Sequence, residues 1–262
     1  MISRRSLIAA LSAPVGSVMG YAGPLRIGIG AYTYHSLSVD DMIAELQALG
    51  IKEIEMSRGE FMNFTHPPVE RFESFRRKAD AAGIRCVSYY APTVKDQNDL
   101  ETAIRFAKIL GATNISGDPT GEILRLVDKR LTAEKMSFGI HNHFFKQKFV
   151  YESPEDILKA LAGLSKTVGC TLDLGHIVSC GYDTVDAIRK LGPRLKLVHL
   201  KDIQAAGGEV NVPLGQGLGK IPEAMAELRR IGFSGLVAFE YEKEGEIRDD
   251  VRRQIEYARK LA

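Results

Sequence analysis

Eight apolar runs of strand length punctuate the chain: LRIGIGAY (25–32), IKEIEM (51–56), IRCVSYY (84–90), TNISG (113–117), MSFGIHN (136–142), VGCTLDL (168–174), LKLVHL (195–200) and GLVAFEY (235–241). Between them lie longer stretches whose apolar residues recur every three or four positions, the signature of a helix with one buried face. Their ends carry caps. Ser38 and two acids open SVDDMIAELQALG, which stops on Gly50. Ser153 caps SPEDILKALAGL, with Pro154 at the first helical position. PPVERFESFRRKADAAG runs from Pro67 to Gly83, DQNDLETAIRFAKILG ends on Gly111, and KIPEAMAELRRIG ends on Gly232. The pattern predicts eight strands and about eight helices in strict alternation. Strict alternation means parallel strands joined by right-handed crossovers.

Eight such units in roughly 240 residues match a closed (β/α)8 barrel. An open, doubly wound sheet is the competitor, and it carries a Gly-rich phosphate turn after its first strand. GIGAYTYH lacks the G-x-G-x-x-G form, and its Gly28 and Gly30 alternate within the strand itself. The expected fold is therefore an α/β TIM barrel, one domain over residues 23–262.

Residues 1–22 read differently. Arg4 and Arg5 precede an apolar stretch without charge until Arg26, and Gly20-Tyr21-Ala22 has the small-x-small form of a cleavage site. Ser-Arg-Arg-x-Leu resembles a twin-arginine export signal. The run is short for a spanning helix and is broken by Pro14 and Gly16. The expectation is export to the periplasm, with no stable membrane insertion once the signal is removed.

Charge and cysteines narrow the partners. The chain has 35 Lys+Arg and 33 Asp+Glu. Loss of residues 1–22 removes two arginines and no acid, leaving 33 of each and a formal charge of zero. That offers no electrostatic footprint for nucleic acid. Three cysteines, Cys86, Cys170 and Cys180, are an odd count. Buried free thiols are expected, with a Cys170–Cys180 bridge as the alternative. Oligomeric state is left open, a homo-oligomer included.

Catalytic side chains of a barrel sit at the C-terminal ends of its strands. The last four strands each end on a metal-binding type: His141, Asp173, His199 and Glu240. Consecutive units should bring these four together over one half of the mouth. Two imidazoles and two carboxylates suit Mn, Co, Zn or Fe(II) better than Ca or Mg. One divalent ion, manganese foremost, is the expected cofactor. His143 shares a strand face with His141 and is read as supporting the ligand or facing substrate, with the two roles exchangeable. Tyr32, Tyr34 and His35 after strand one, Glu55 at the end of strand two, and Tyr89 and Tyr90 at the end of strand three are candidates to line the mouth. Lys201 is read as a substrate contact or as a salt-bridge partner of Asp202. Phe144, Phe145, Phe149 and Tyr151 are read as loop packing, and His66 as a loop residue.

CTLDLGH, LVHLKD, VPLGQG and AFEYE together resemble the xylose isomerase-like TIM-barrel superfamily of sugar isomerases and epimerases, over residues 25–262. The resemblance implies a metal held by Glu, Asp, His and Glu from the last four strands. Asp173, His199 and Glu240 match three of these positions, and His176 matches a histidine that touches substrate. The departure is at the first position, where the family reads Glu-Asn-His and this chain reads His141-Asn142-His143.

A metal chelating a carbonyl and its neighbouring hydroxyl acidifies the adjacent C–H and stabilises an enediolate. The expected activity is therefore isomerisation or epimerisation of a small carbohydrate: a non-phosphorylated sugar, keto-sugar or cyclitol. Related epimerases use two ligand glutamates as an acid/base pair, and only Glu240 survives here. His143, His176, Lys201 or Glu242 would be the second proton carrier. A one-base lyase or dehydratase is the alternative, acting on a keto-sugar or 3-keto-glycoside. A non-catalytic sugar-binding protein and a nuclease like the superfamily's DNA-repair endonuclease rank lower.

Overall fold

The structure, a computed structural model, describes residues 23–62, 69–91, 94–147 and 150–262. The segment read as an export signal (1–22), His66 and Phe149 lie outside the described residues. Eight parallel strands close into a barrel in sequence order: β1 (Arg26–Gly30), β2 (Glu53–Met56), β3 (Arg85–Tyr90), β4 (Asn114–Gly117), β5 (Ser137–His141), β6 (Val168–Asp173), β7 (Leu195–Leu200) and β8 (Leu236–Phe239). Pairing of Arg26 with Leu236 through Ile29 with Phe239 seals β1 against β8.

Nine α-helices surround the barrel among the described residues: α1 (Val39–Ala48), α2 (Val69–Ala81), α3 (Gln97–Leu110), α4 (Leu124–Glu134), α5 (Pro154–Ala160), α6 (Leu174–Ser179), α7 (Thr184–Leu191), α8 (Ile221–Arg230) and α9 (Arg248–Leu261). The one beyond expectation is α6, a six-residue helix directly after β6, capped by Asp173 through the His176 amide. Ser38 and Ser153 cap α1 and α5 as their sequences indicate, Ser153 in a reciprocal capping box with Asp156. None of the helices is long and apolar enough to cross a membrane. All three cysteines are free, two of them buried.

Aliphatic and aromatic residues between the strands and helices form the core. The barrel interior under the mouth is polar instead. Thr171 Oγ1 meets Ser116 Oγ at 2.7 Å, Ser116 meets Ser88 at 3.2 Å, and Ser88 donates to Glu55 at 2.7 Å. These hydroxyls form a hydrogen-bonded floor across β6, β4, β3 and β2. Gly139 makes room for it, since a Cβ there would stand 2.2 Å from Thr171 Oγ1.

One loop bears directly on the mouth. After β7 the buried Asp202 accepts four backbone N–H groups: Gly215 and Gly217 on Oδ2 at 2.9 Å, Gly219 at 2.8 Å and Ile203 at 3.0 Å on Oδ1. A Cβ on Gly217 would lie 2.4 Å from Asp202 Oδ1, so the glycines of VPLGQGLG let the backbone wrap a carboxylate. The expected pairing of Asp202 with Lys201 does not form, because these amides occupy Asp202. Asp202→Ala strands several buried N–H groups and should cost about 3 kcal/mol of stability, read by urea unfolding. A loss below 1 kcal/mol would show that water replaces the carboxylate.

Candidate metal centre at the mouth of the barrel

The C-terminal strand ends surround a cavity of about 210 Å³. Tyr32, Ser57, Met62, Tyr90, His141, His143, Gln147, His176, His199, Glu240 and Glu242 line it. Strand alternation explains the choice at β3. Ser88 points into the barrel, so Tyr90 does too and Tyr89 faces out. Tyr89 is packed edge-on against Phe72 and Phe106, and its hydroxyl donates to the Phe61 carbonyl at 2.7 Å. Tyr89 is therefore no substrate contact. Tyr34 is also excluded, being fully buried in the core between barrel and helices. His35 stacks on Tyr32 and reaches Glu244 at 3.4 Å without lining the cavity.

Glu55 lies below the cavity with no exposure, so it cannot touch substrate as expected. Its partner is His199, whose Nε2 stands 2.5 Å from Glu55 Oε2. Burial pushes the Glu55 carboxyl up, but the His199 charge and hydrogen bonds from His199, Ser116 and Ser88 outweigh it and hold it below the usual range.

The other nitrogen of His199 is turned to the mouth. Nδ1 lies 3.1 Å from His141 Nε2, 3.5 Å from Asp173 Oδ2 and 3.4 Å from Glu240 Oε2. Asp173 Oδ2 is buried and accepts no hydrogen bond. Four nitrogens nevertheless ring it: Lys201 Nζ at 3.2 Å, His199 Nδ1 at 3.5 Å, and His141 Nε2 and His176 Nε2 at 3.9 Å. One ligand atom each from His141, Asp173 and His199 falls within 4.8 Å of the others. Glu240 flanks this trio, with Oε2 3.3 Å from Lys201 Nζ.

An orphaned carboxylate oxygen amid imidazole nitrogens is what a divalent ion would satisfy, so these residues fit one. Glu55 behind His199 completes the arrangement of a metal-binding histidine anchored by a carboxylate. Asn142 locks Asp173 from the side, donating to its carbonyl at 3.0 Å and accepting its N–H at 2.8 Å.

The charges sort by environment. Burial, then the charges of His143 and His199, holds His141 well below the ordinary imidazole range, so it is neutral. Burial lowers His199 too, but the Glu240 and Glu55 carboxylates, the nearby Asp173 and the hydrogen bond to Glu55 carry it well above that range. Burial raises Glu240 in spite of Lys201 and His199. Lys201 is engaged by Asp173, Glu240 and Glu242, the last at 2.7 Å. Burial lowers its ammonium, and these three carboxylates more than restore it.

Asp118, Gln147, Ser57 and Met62 are site residues that the sequence reading passes over. Asp118 follows β4 directly, so strand-end logic extended to ISGDP points to it. Its Oδ2 accepts the Tyr90 hydroxyl at 2.7 Å, and its Oδ1 lies 2.7 Å from His143 Nε2. Gln147 ends a short 3-10 helix and Ser57 and Met62 come from loops, where period gives no signal. Phe144 and Tyr151 are buried loop packing, while Phe145 is exposed.

Burial lowers the His176 imidazole to about 4. An unfolded histidine titrates near 6.5, so the unfolded chain binds the extra proton between these values. Stability through this group is complete above about pH 6.5 and is lost on acidification toward pH 4, by about 3 kcal/mol in chelator-treated protein. His176→Asn should remove that part of the slope in a pH series of urea unfolding; an unaltered slope would place the titration elsewhere. Separately, His199→Ala should abolish metal retention while circular dichroism stays native. Metal content unchanged in that variant would take His199 out of the coordination set.

Comparison with known proteins follows this geometry. A D-psicose 3-epimerase from Clostridium cellulolyticum, solved with D-tagatose, superposes with a TM-score of 0.70 at 14% identity, over 90% of this chain and 99% of that one. The probable 3-DHS dehydratase AsbF of petrobactin synthesis in Bacillus anthracis gives 0.71 at 13% identity, over 88% and 98%. A sugar phosphate isomerase/epimerase from Parabacteroides distasonis gives 0.68 at 18% identity, over 90% and 96%. At these identities the likeness is one of fold. Comparison with curated protein sequences gives no match. The family model of the xylose isomerase-like TIM barrel matches residues 43–261, and the chain belongs to that family.

Proposed function

We propose that the protein is a divalent-metal-dependent enzyme that moves a proton at the carbon beside a carbohydrate carbonyl, giving isomerisation or epimerisation. The observation that carries this is the unsatisfied Asp173 Oδ2 where His141 and His199 converge, beside a buried glutamate whose pKa is raised. A bound divalent ion polarises a carbonyl and stabilises negative charge on adjacent oxygens. Glu240 lines the cavity and takes the proton; its raised pKa makes it a stronger base than a solvated carboxylate. Lys201, held by three carboxylates, keeps a positive charge under the reacting oxygens. Glu240, once protonated, returns the proton to the neighbouring carbon in isomerisation; in epimerisation it releases the proton to solvent, and His176, with no hydrogen-bond partner on Nδ1, relays a solvent proton to the opposite face. Tyr32 and Tyr90 offer rings and hydroxyls to a sugar.

The substrate is small and non-phosphorylated. No arginine lines the cavity among the described residues, and Lys201 is engaged by carboxylates, so nothing offers a phosphate a free cation. Arg4, Arg5 and the apolar run after them support export to the periplasm.

A second reading is a one-base lyase. His141 stands where related epimerases carry a second carboxylate, and it is neutral. With Glu240 alone as base, proton removal followed by loss of a β-substituent would suffice. That epimerases and a dehydratase share this fold accords with either outcome.

Keto-sugars, cyclitols and 3-keto-glycosides incubated in deuterated water with added Mn, Co or Zn distinguish these reactions by NMR. An epimer or isomer carrying deuterium supports the first reading, and an alkene the second. Absence of exchange across the whole set would leave a binding protein. Glu240→Gln should slow exchange by about a thousandfold, and an unchanged rate would remove Glu240 as base.

A further inference from the structure

We propose that the mouth holds a second divalent-cation site, built from Asp118, His141 and His143, and that His141 serves both sites through its two ring nitrogens. The inference rests on the centre at His141, Asp173 and His199 described above. His141 Nε2 belongs to that centre, while its Nδ1 points the other way, 3.1 Å from His143 Nε2. Asp118 Oδ1 is 2.7 Å from the same His143 nitrogen. One ligand atom from each of the three falls within 4.8 Å of the others. All three residues are more than nine-tenths buried, at 5%, 4% and 7% exposure for Asp118, His141 and His143.

Two observations independent of that spacing point to an ion. First, Asp118 Oδ1 is buried and accepts no hydrogen bond, the same condition as Asp173 Oδ2 in the neighbouring centre. Buried carboxylate oxygens are otherwise satisfied. Second, the outer partners are in place. Gln147 donates to Glu209, which fixes its amide so that Oε1 faces His143 Nδ1 at 3.0 Å. Gln147 thereby orients the His143 ring, whose Nε2 faces Asp118 Oδ1 and His141 Nδ1. Gln147 thus stands behind His143 as Glu55 stands behind His199. Tyr90 holds the other Asp118 oxygen.

Charge agrees. Glu55, Asp118, Asp173, Glu240 and Glu242 line or underlie the mouth, against the one ammonium of Lys201 among the described residues. Divalent cations offset this excess of negative charge. With an ion on each side His141 becomes a bridging imidazolate, and its single N–H proton passes to solvent. A set of two imidazoles and one carboxylate selects zinc, cobalt or copper over magnesium or calcium.

Chelator-treated protein titrated with Co(II) alone, followed by its visible absorption and by elemental analysis, should bind two equivalents per chain. Asp118→Asn should bind one, and His143→Gln likewise should it fold better. His141→Ala should weaken both. Copper-loaded wild type should lose EPR intensity through coupling across the imidazolate, and Asp118→Asn should regain it. A single equivalent in wild type, lost in His199→Ala and untouched by Asp118→Asn, overturns the second site and leaves the first standing. No cobalt bound at all overturns both. Two equivalents that persist in both Asp118→Asn and His143→Gln would place the second ion elsewhere and end the proposal.

Discussion

The hydrogen bond from His199 Nε2 to Glu55 organises the mouth of this barrel. It is made below the cavity, where neither group meets water. A charge left alone there would cost several kcal/mol. Glu55 is held from below by the hydroxyl floor, through Ser88. The floor fixes the carboxylate, the carboxylate fixes the ring, and the ring directs Nδ1 at Asp173, Glu240 and His141. Each link depends on the one beneath it, so the interior of the barrel is polar where a branched aliphatic layer would otherwise sit.

From that anchor the electrostatics divide across the cavity. On the β7–β8 side, carboxylates and the Lys201 ammonium stay charged by facing one another. On the β5–β6 side, His141 and His176 are kept neutral by burial. Neutral imidazoles are ligands and proton acceptors, and His199 must shed its Nδ1 proton to join them when an ion binds. The same burial raises Glu240, which suits the base role proposed for it. The Asp202 loop serves this side, because it pins the chain immediately after Lys201.

The barrel was legible because its signals are periodic. Eight apolar runs alternated with capped helical stretches, and Ser38 and Ser153 stand where their caps predict. The donor positions of the last four strands were legible for the same reason: a polar residue ending an apolar strand has one place to go. What escaped was set by alternation and by loops. Tyr89 and Tyr90 are equivalent in composition, and only the inward Ser88 distinguishes them. Tyr34 follows β1 in a short 3-10 turn, which rotates it away from the mouth into the core. Glu55, a candidate to line the mouth, sits one layer deeper, since a sequence does not reveal depth along a barrel axis.

The histidine at the end of β5 is the feature that sets this chain apart from the pattern it otherwise matches. A carboxylate there would add a fifth negative group to the four acids at Glu55, Asp173, Glu240 and Glu242, within reach of one lysine. An imidazole supplies a donor atom without the charge, and it supplies two, on opposite edges of one ring. A carboxylate's two oxygens splay from one carbon toward the same side, whereas the ring nitrogens of His141 address Asp118–His143 and Asp173–His199 separately. The exchange therefore leaves the mouth with one carboxylate fewer and turns donor atoms toward β4. In the proposed second site, Asp118 and His143 join the trio that His199 anchors through the shared ring of His141.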